Sequence, residues 1–240
     1  MPDEVKEEFV PKRAMVVTPH PDDMEIGVGG TIAKWIAKGT LVTLVVATNG
    51  DKGSPDLEMT SERLAAIRQK EQRAAGAVLG VHEIVFLPNR DGELEDSKEF
   101  RGQIVRELRR TQPELVLTVD PYRTTFYWHR DHRMCGQVVM DAVFPYARDH
   151  LYYPEHLKEG LKPHKTKFLY LWATDKPDLY SDIKDTLDKK IEALKHHASQ
   201  MGAAQGQREF GGFLRQMAKR IGEAKGMEAT EAFRVVEMFG

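Results

Sequence analysis

Hydrophobic positions along the chain follow two rhythms in turn. Met15 to Thr18, Leu41 to Ala47, Ile84 to Leu87 and Leu115 to Val119 are short, nearly continuous apolar or β-branched runs. Such runs predict strands buried on both faces of a parallel sheet. Between them the apolar groups fall at helical spacing. Thr31 to Lys38 carries Ile32, Trp35 and Ile36, with Gly39 as its C-terminal cap. Ser61 is the expected N-cap of a long helix through Leu79, closed by Gly80, and Phe100 to Arg110 predicts a third helix before Pro113. Strand and helix alternate four times, which predicts an α/β fold. We expect a Rossmann-like, mostly parallel sheet with helices on both faces, joined by right-handed crossovers.

The rhythm loosens after the fourth strand. A helix is expected from about Arg133 to Phe144, then an irregular stretch over 145–165 with Pro145, Pro154 and Pro163. Phe168 to Ala173 predicts another strand. Asp185 to Gln200 predicts a helix with Leu187, Ile191 and Leu194 on one face, and Phe213 to Ala224 a further, solvated one. Residues 1–12 are expected to be a loose arm, and 13–240 a single domain.

Composition narrows the function classes. The chain has 240 residues, 41% hydrophobic and 30% charged, enough for one domain with a sizeable core. A formal net charge of -2 leaves no basic footprint for nucleic acid. No apolar run approaches the roughly 18 residues of a membrane span. The opening Met-Pro-Asp-Glu-Val-Lys-Glu-Glu is too charged for a signal peptide. The single cysteine, Cys135, excludes an intramolecular disulfide and a thiolate zinc cluster; as a small buried hydrophobe it needs no other role. These features predict a soluble, cytoplasmic protein.

Two loops at predicted strand ends concentrate the chemistry. After the first strand come His20, Asp22 and Asp23, stiffened by Pro19 and Pro21. His20 and Asp23, three residues apart, can converge on one ion while Asp22 points elsewhere. After the fourth strand come His129, Asp131 and His132. Either cluster alone reads equally as an ordinary polar surface loop. Together, at the carboxyl rim of one sheet, they form a set that an ion explains. Two histidines and one aspartate suit zinc and leave a position open for water. Bound zinc brings its water's pKa to about 7. A spare carboxylate can then take the water's proton, a spare histidine can act as acid or stabilise an oxyanion, and Asp131 can hold a histidine in one tautomer. The parts fit metal-assisted hydrolysis of an amide or ester.

With both motifs in view, the chain resembles the LmbE-like, PIG-L type zinc de-N-acetylases. His20-Pro21-Asp22-Asp23 with Glu25 matches that family's first motif, and His129-Arg130-Asp131-His132 its second, with Arg130 where proline is usual. Arg68 and Glu71, Asp91-Gly92, His197-Ala198-Ser199-Gln200 and Glu231-Ala232-Phe233 match further pieces. Stretches from Arg148 to His164 resemble the chitobiose-deacetylase branch. The resemblance implies zinc bound by His20, Asp23 and His132, with Asp22 as general base. It implies that His129 stabilises the oxyanion or donates a proton, and that Asp131 orients a histidine. Arg68, Asp91 and His197 become candidates for binding the substrate, an N-acetylated sugar of N-acetylglucosamine type. It also implies a homo-oligomer, trimer or hexamer, with 145–165 as a contact.

Two other classes compete. Gly27, Gly29 and Gly30 after a strand, with Asp51 about 20 residues on, invite a nucleotide-binding oxidoreductase. Against this, the third glycine of that fingerprint would fall at Ile32, and the acidic groups before the glycines would repel a pyrophosphate. A non-catalytic metal-containing binding module would keep the ion and turn nothing over. A serine hydrolase lacks its Gly-x-Ser-x-Gly elbow here.

Overall fold

The computed structural model describes residues 6–124, 129–202, 204–223 and 225–238. In chain order the elements are β1 (Arg13–Thr18), α1 (Asp23–Ala37), β2 (Leu41–Thr48), α2 (Ser61–Leu79), β3 (Glu83–Asn89), α3 (Lys98–Thr111), β4 (Leu115–Val119), α4 (Arg130–Asp141), α5 (Glu155–Lys158), β5 (Phe168–Trp172), β6 (Leu179–Asp182), α6 (Leu187–Leu194), α7 (Ala198–Met201), α8 (Ala204–Glu223) and β7 (Thr230–Glu237). The strands form one sheet in the order β3-β2-β1-β4-β5-β7-β6. The first five pair in parallel; β7 runs antiparallel to both β5 and β6. Alternate residues of β1 serve two cores. Ala14 and Val16 pack with α1 and the end of α2, and Met15 and Val17 pack with α3 and α4. Both faces are therefore covered, as the apolar runs predict, and the α/β expectation holds.

Four local expectations change. Helix α1 begins at Asp23, not Thr31, so the three glycines lie inside it. A Cβ on Gly27 would stand 2.6 Å from Trp172 Nε1, and one on Gly30 would stand 2.8 Å from Ile183 Cβ. These glycines weaken the helix by about 1 kcal/mol each relative to alanine, and in return bring its backbone against its neighbours. They serve packing and do not form a phosphate-binding turn. The helix expected over 185–200 breaks into a 3-10 turn, α6 and α7, with His197 between the last two. The last helix starts at Ala204, well before Phe213, and Ala224 lies outside the described residues. The arm is also different: residues 1–5 are outside the described residues, but from Lys6 onward it is tied down. Glu8 accepts from Trp35 Nε1 (2.6 Å) and Lys34 Nζ (2.7 Å), and Lys6 N–H donates to Asp178 O (2.8 Å).

Two buried cations organise regions of weak periodicity. Arg109, from α3, is almost fully buried and donates to the carbonyls of Tyr146, Ala147, Asp149, Tyr152 and Tyr153, which fixes the irregular 145–165 segment. Lys190, from α6, meets Glu231 of β7 at 2.6 Å, and the Glu231 carboxylate also accepts the N–H groups of Gly30 (3.0 Å) and Thr31 (2.8 Å). Among the described residues, no helix is long and apolar enough to cross a membrane.

Candidate active site

The chain moves outward from β1 to β2 and β3 on one side, then returns to β4 on the other. Neighbouring strands β1 and β4 thus bound the point where the winding reverses, the place beyond the carboxyl ends where open α/β sheets form their binding crevice. The first polar cluster follows β1 and the second follows β4, so the topology itself brings them together.

Asp23 joins them. Its Oδ2 lies 3.3 Å from His20 Nδ1 and its Oδ1 lies 3.4 Å from His132 Nε2. The His20 N–H also donates to Asp23 Oδ2 at 2.9 Å, which locks the stiff proline turn onto the helix start. Ring nitrogens of His20, His129 and His132 lie within 4.8 Å of one another. Two imidazoles converging on one carboxylate, without a thiolate, are a donor set that fits a divalent ion.

The other side of His20 is held as well. Its Nε2 is 3.1 Å from Asp131 Oδ2 and 3.3 Å from Asp91 Oδ1. Asp131 is fully buried, and its two oxygens accept the N–H groups of Gly92 (2.6 Å) and Leu94 (3.2 Å). The histidine that Asp131 touches is therefore His20. His129 is the N-cap of α4, and its Nδ1 accepts the Asp131 N–H at 3.1 Å. That bond leaves the proton of a neutral His129 ring on Nε2. Its ring meets the His20 ring edge-on, with centroids 4.6 Å apart.

Asp22 faces away from the Asp23 set. It has φ 95°, and its N–H donates to Gln72 Oε1 at 2.9 Å. Arg68 and Gln72 stand one turn apart on α2 and grip the same residue. Arg68 Nη2 lies 3.5 Å from Asp22 Oδ2 and donates to Pro21 O at 2.9 Å. Arg68 Nη1 donates to Gly50 O and Lys52 O, both at 3.2 Å, and meets Asp91 Oδ2 at 3.4 Å. One guanidinium thus joins the loops that follow β1, β2 and β3.

His197 departs from the substrate-binding expectation. It is 0% exposed and lies 3.4 Å from Oε2 of Glu25, which is equally buried. The ring is enclosed between helices, away from the His20–Asp23–His132 set. Residue-type patterns also passed over two groups. Gln72 is a lone amide in a helix, and Arg123 a lone cation in a loop, with its Nη2 3.4 Å from His132 Nδ1. The only sequence hint of Gln72 was its position four residues after Arg68 on the same helical face.

The electrostatics separate the two adjacent aspartates. Burial and the Asp23 charge push the Asp22 carboxyl up to about 7, against the pull of Arg68, His197 and His20. Asp23 suffers the same burial, yet His132 and His20 hold it well below the ordinary carboxylate range. Burial pushes His132 down to about 4, against the pull of the Asp23 charge. Burial would lower His20 too, but its bonds to Asp131, Asp23 and Asp91 outweigh that and raise it well above the usual histidine value. Burial, helped by the Asp23 and Asp131 charges, raises Cys135 far above an ordinary thiol, which keeps it inert beneath the site.

Comparison with known proteins agrees with this geometry. Residues 15–143 match the PIG-L family, described as GlcNAc-PI de-N-acetylase. The diacetylchitobiose deacetylase of Thermococcus kodakarensis is 33% identical over 225 residues, spanning 94% of this chain and 83% of that protein. A probable N-acetyl-alpha-D-glucosaminyl L-malate deacetylase 2 of Bacillus anthracis is 29% identical over 79% of this chain and 81% of its own length. Among solved structures, the N,N'-diacetylchitobiose deacetylase of Pyrococcus horikoshii superposes with a TM-score of 0.89 at 35% identity, covering 95% of this chain and 84% of that one. A sheet wound to a β1–β4 crevice, both His/Asp motifs at its rim and these matches lead to one conclusion: the chain belongs to the PIG-L family and is a deacetylase enzyme.

Proposed function

We propose that the protein is a zinc-dependent hydrolase that removes the N-acetyl group from an acetamido sugar of N-acetylglucosamine type, with chitobiose-like sugars as the first substrate class to test. One observation carries the reading. Asp23 holds an oxygen to each of His20 Nδ1 and His132 Nε2, while the adjacent Asp22 stands apart with its carboxyl up to about 7.

His20, Asp23 and His132 would hold the ion. Bound there, zinc supplies a Lewis acid and a water acidified to a pKa of about 7. Asp22 takes a proton from the attacking water at its carboxylate, as a group poised near the working pH does most efficiently. His129, with its proton on Nε2, donates to the oxyanion that develops on the amide oxygen. Asp131 accepts from His20 Nε2, which would keep Nδ1 unprotonated toward the ion. When the C–N bond breaks, the proton held by Asp22 passes to the leaving amine, giving acetate and a free amino sugar. Arg68 and Asp91 line the crevice beside Asp22, and their buried charges support a role in sugar binding.

The chain's single, buried cysteine supports a cytoplasmic setting. Exposed Phe144, Leu151, Tyr152 and Leu157 around the 145–165 segment support a homo-oligomer.

Acetate release from N-acetylglucosamine, diacetylchitobiose and glucosamine conjugates, measured before and after metal stripping and zinc return, tests the reading. Turnover of at least one acetamido sugar, lost on stripping and restored by zinc, is expected. Turnover of an ester or phosphate with no acetamido sugar accepted would overturn it.

A further inference from the structure

The geometry points to a buried chain of side chains, Gln72, Glu25 and His197, as the device that holds Asp22 in its working orientation. All three are positioning residues of the reaction. The inference rests on Asp22 being the base.

The starting observation lies in the backbone. Asp22 sits at φ 95°, ψ -25°, between Pro21 and the first residue of α1. Aspartate visits this left-handed region more readily than most side chains, but such a conformation persists only where its surroundings over-determine it. Two contacts from α2 do so. Arg68 engages the Asp22 carboxylate at 3.5 Å, and Gln72 Oε1 accepts the Asp22 N–H at 2.9 Å. The acceptor role at Oε1 fixes which end of the amide is which. Gln72 Nε2 then donates to Glu25 Oε1 at 2.8 Å. The other oxygen, Glu25 Oε2, has no hydrogen-bond partner and looks toward His197 Nε2 at 3.4 Å.

Gln72, Glu25 and His197 are all 0% exposed. They lie where α1 and α2 meet the α6–α7 break, a helix junction that apolar side chains would fill without desolvating a charge. Two hydrogen bonds in series, Asp22 N–H to Gln72 and Gln72 to Glu25, with the His197 ring closing on Glu25 as a charge contact at 3.4 Å, instead specify one geometry for the strained residue. Its arrangement also accounts for the break before α7. His197 must stand outside both helices for its ring to turn inward onto Glu25.

The test is a double-mutant cycle on the zinc-loaded enzyme. Gln72→Met keeps bulk and removes both hydrogen bonds. We expect kcat to fall about 10- to 100-fold, the loss typical of a misplaced reacting group, with KM and zinc content unchanged. On an Asp22→Asn background, which removes the carboxylate charge while tolerating the same backbone, Gln72→Met should change nothing further. A multiplicative loss on that background, or a raised KM with kcat intact, overturns the proposal. If Gln72→Met does not fold, His197→Gln runs the same cycle: loss in kcat only where Asp22 is present supports positioning, and a rise in KM alone returns His197 to substrate binding. Asp22→Asn with full activity would instead remove the base assignment itself, which separates the two failures.

Discussion

Helix α1 carries two buried charged networks, and they are built differently. At its middle, Lys190 and Glu231 meet at 2.6 Å, and the carboxylate also accepts two helix N–H groups. Every bond is short and the network is closed. At its start, Asp23 and Glu25 face histidines at distances of 3.3 to 3.4 Å, Asp22 meets Arg68 only at 3.5 Å and has a strained backbone, and one oxygen of Glu25 has no hydrogen-bond partner. A closed network has spent its interactions on the fold. An open one keeps some for a ligand, a proton or an ion, and its aspartates are pushed to opposite extremes as a result.

The largest expected effect breaks the open network. Asp23→Ala should lose both zinc and turnover. Asp22→Asn should keep zinc and fold normally, yet lose roughly 10²–10⁴-fold in kcat, the usual worth of a general base. Metal content measured against turnover for both variants checks this. If Asp22→Asn loses the metal while Asp23→Ala keeps it, the roles are exchanged.

The next effect breaks the closed network. Lys190→Met leaves Glu231 buried without its cation, and removing one partner of such a pair costs about 3–5 kcal/mol. Urea unfolding should record that loss, while turnover per folded, zinc-loaded molecule stays as it was. A large fall in kcat with stability intact would show that the two networks are coupled.

The smallest effect sharpens the comparison through pH. His20 is raised in the folded, metal-free protein, so it binds more protons there than when unfolded. Its contribution is complete below the unfolded value of about 6.5 and is lost as pH rises through the folded one. Between about 4 and 6.5 the lowered His132 and the raised Asp22 act in opposite senses, while above 6.5 the raised His20 and the raised His197 act together. Metal-free protein should lose thermal stability as pH climbs through that upper window, and the gain in Tm on adding zinc should grow. A gain that shrinks with rising pH would contradict the direction assigned to His20.

The sequence made the core legible because β1, β2 and β4 are buried on both faces, and a short continuous apolar run fits few places in a fold besides a covered strand. It concealed β7, whose register depends on pairing with β5 from more than 60 residues away, and whose run is broken by Glu231 and Arg234. It misplaced the start of α1 because glycine's low helix propensity hid its packing use against Trp172 and Ile183. At the site, both His/Asp motifs stood out by residue type. Gln72 and Arg123 did not, since a single amide or guanidinium gains its meaning only from what lies opposite it in three dimensions. His197 was singled out by its motif, but whether it faced the crevice or the interior was a question of helix termination that periodicity could not answer.

The bonding of Arg68 carries a consequence for how such an enzyme can diversify. Apart from its two carboxylates, this guanidinium binds the carbonyls of Pro21, Gly50 and Lys52, and every residue type supplies a carbonyl. The Arg68 frame therefore draws only on the backbone of position 52, and of that residue's side chain only the amine, 3.0 Å from the buried Asp51 carboxylate, is engaged. Position 50 is constrained more tightly. It combines a left-handed φ of 66° with a Cβ site 2.9 Å from Pro21 and 3.1 Å from Arg68 Nε. The fixed part of the loop after β2 thus runs from this glycine through Asp51, whose buried carboxylate accepts the Asp91 N–H at 3.0 Å, and substitutions that retune the rim of the pocket are expected to be tolerated only beyond it.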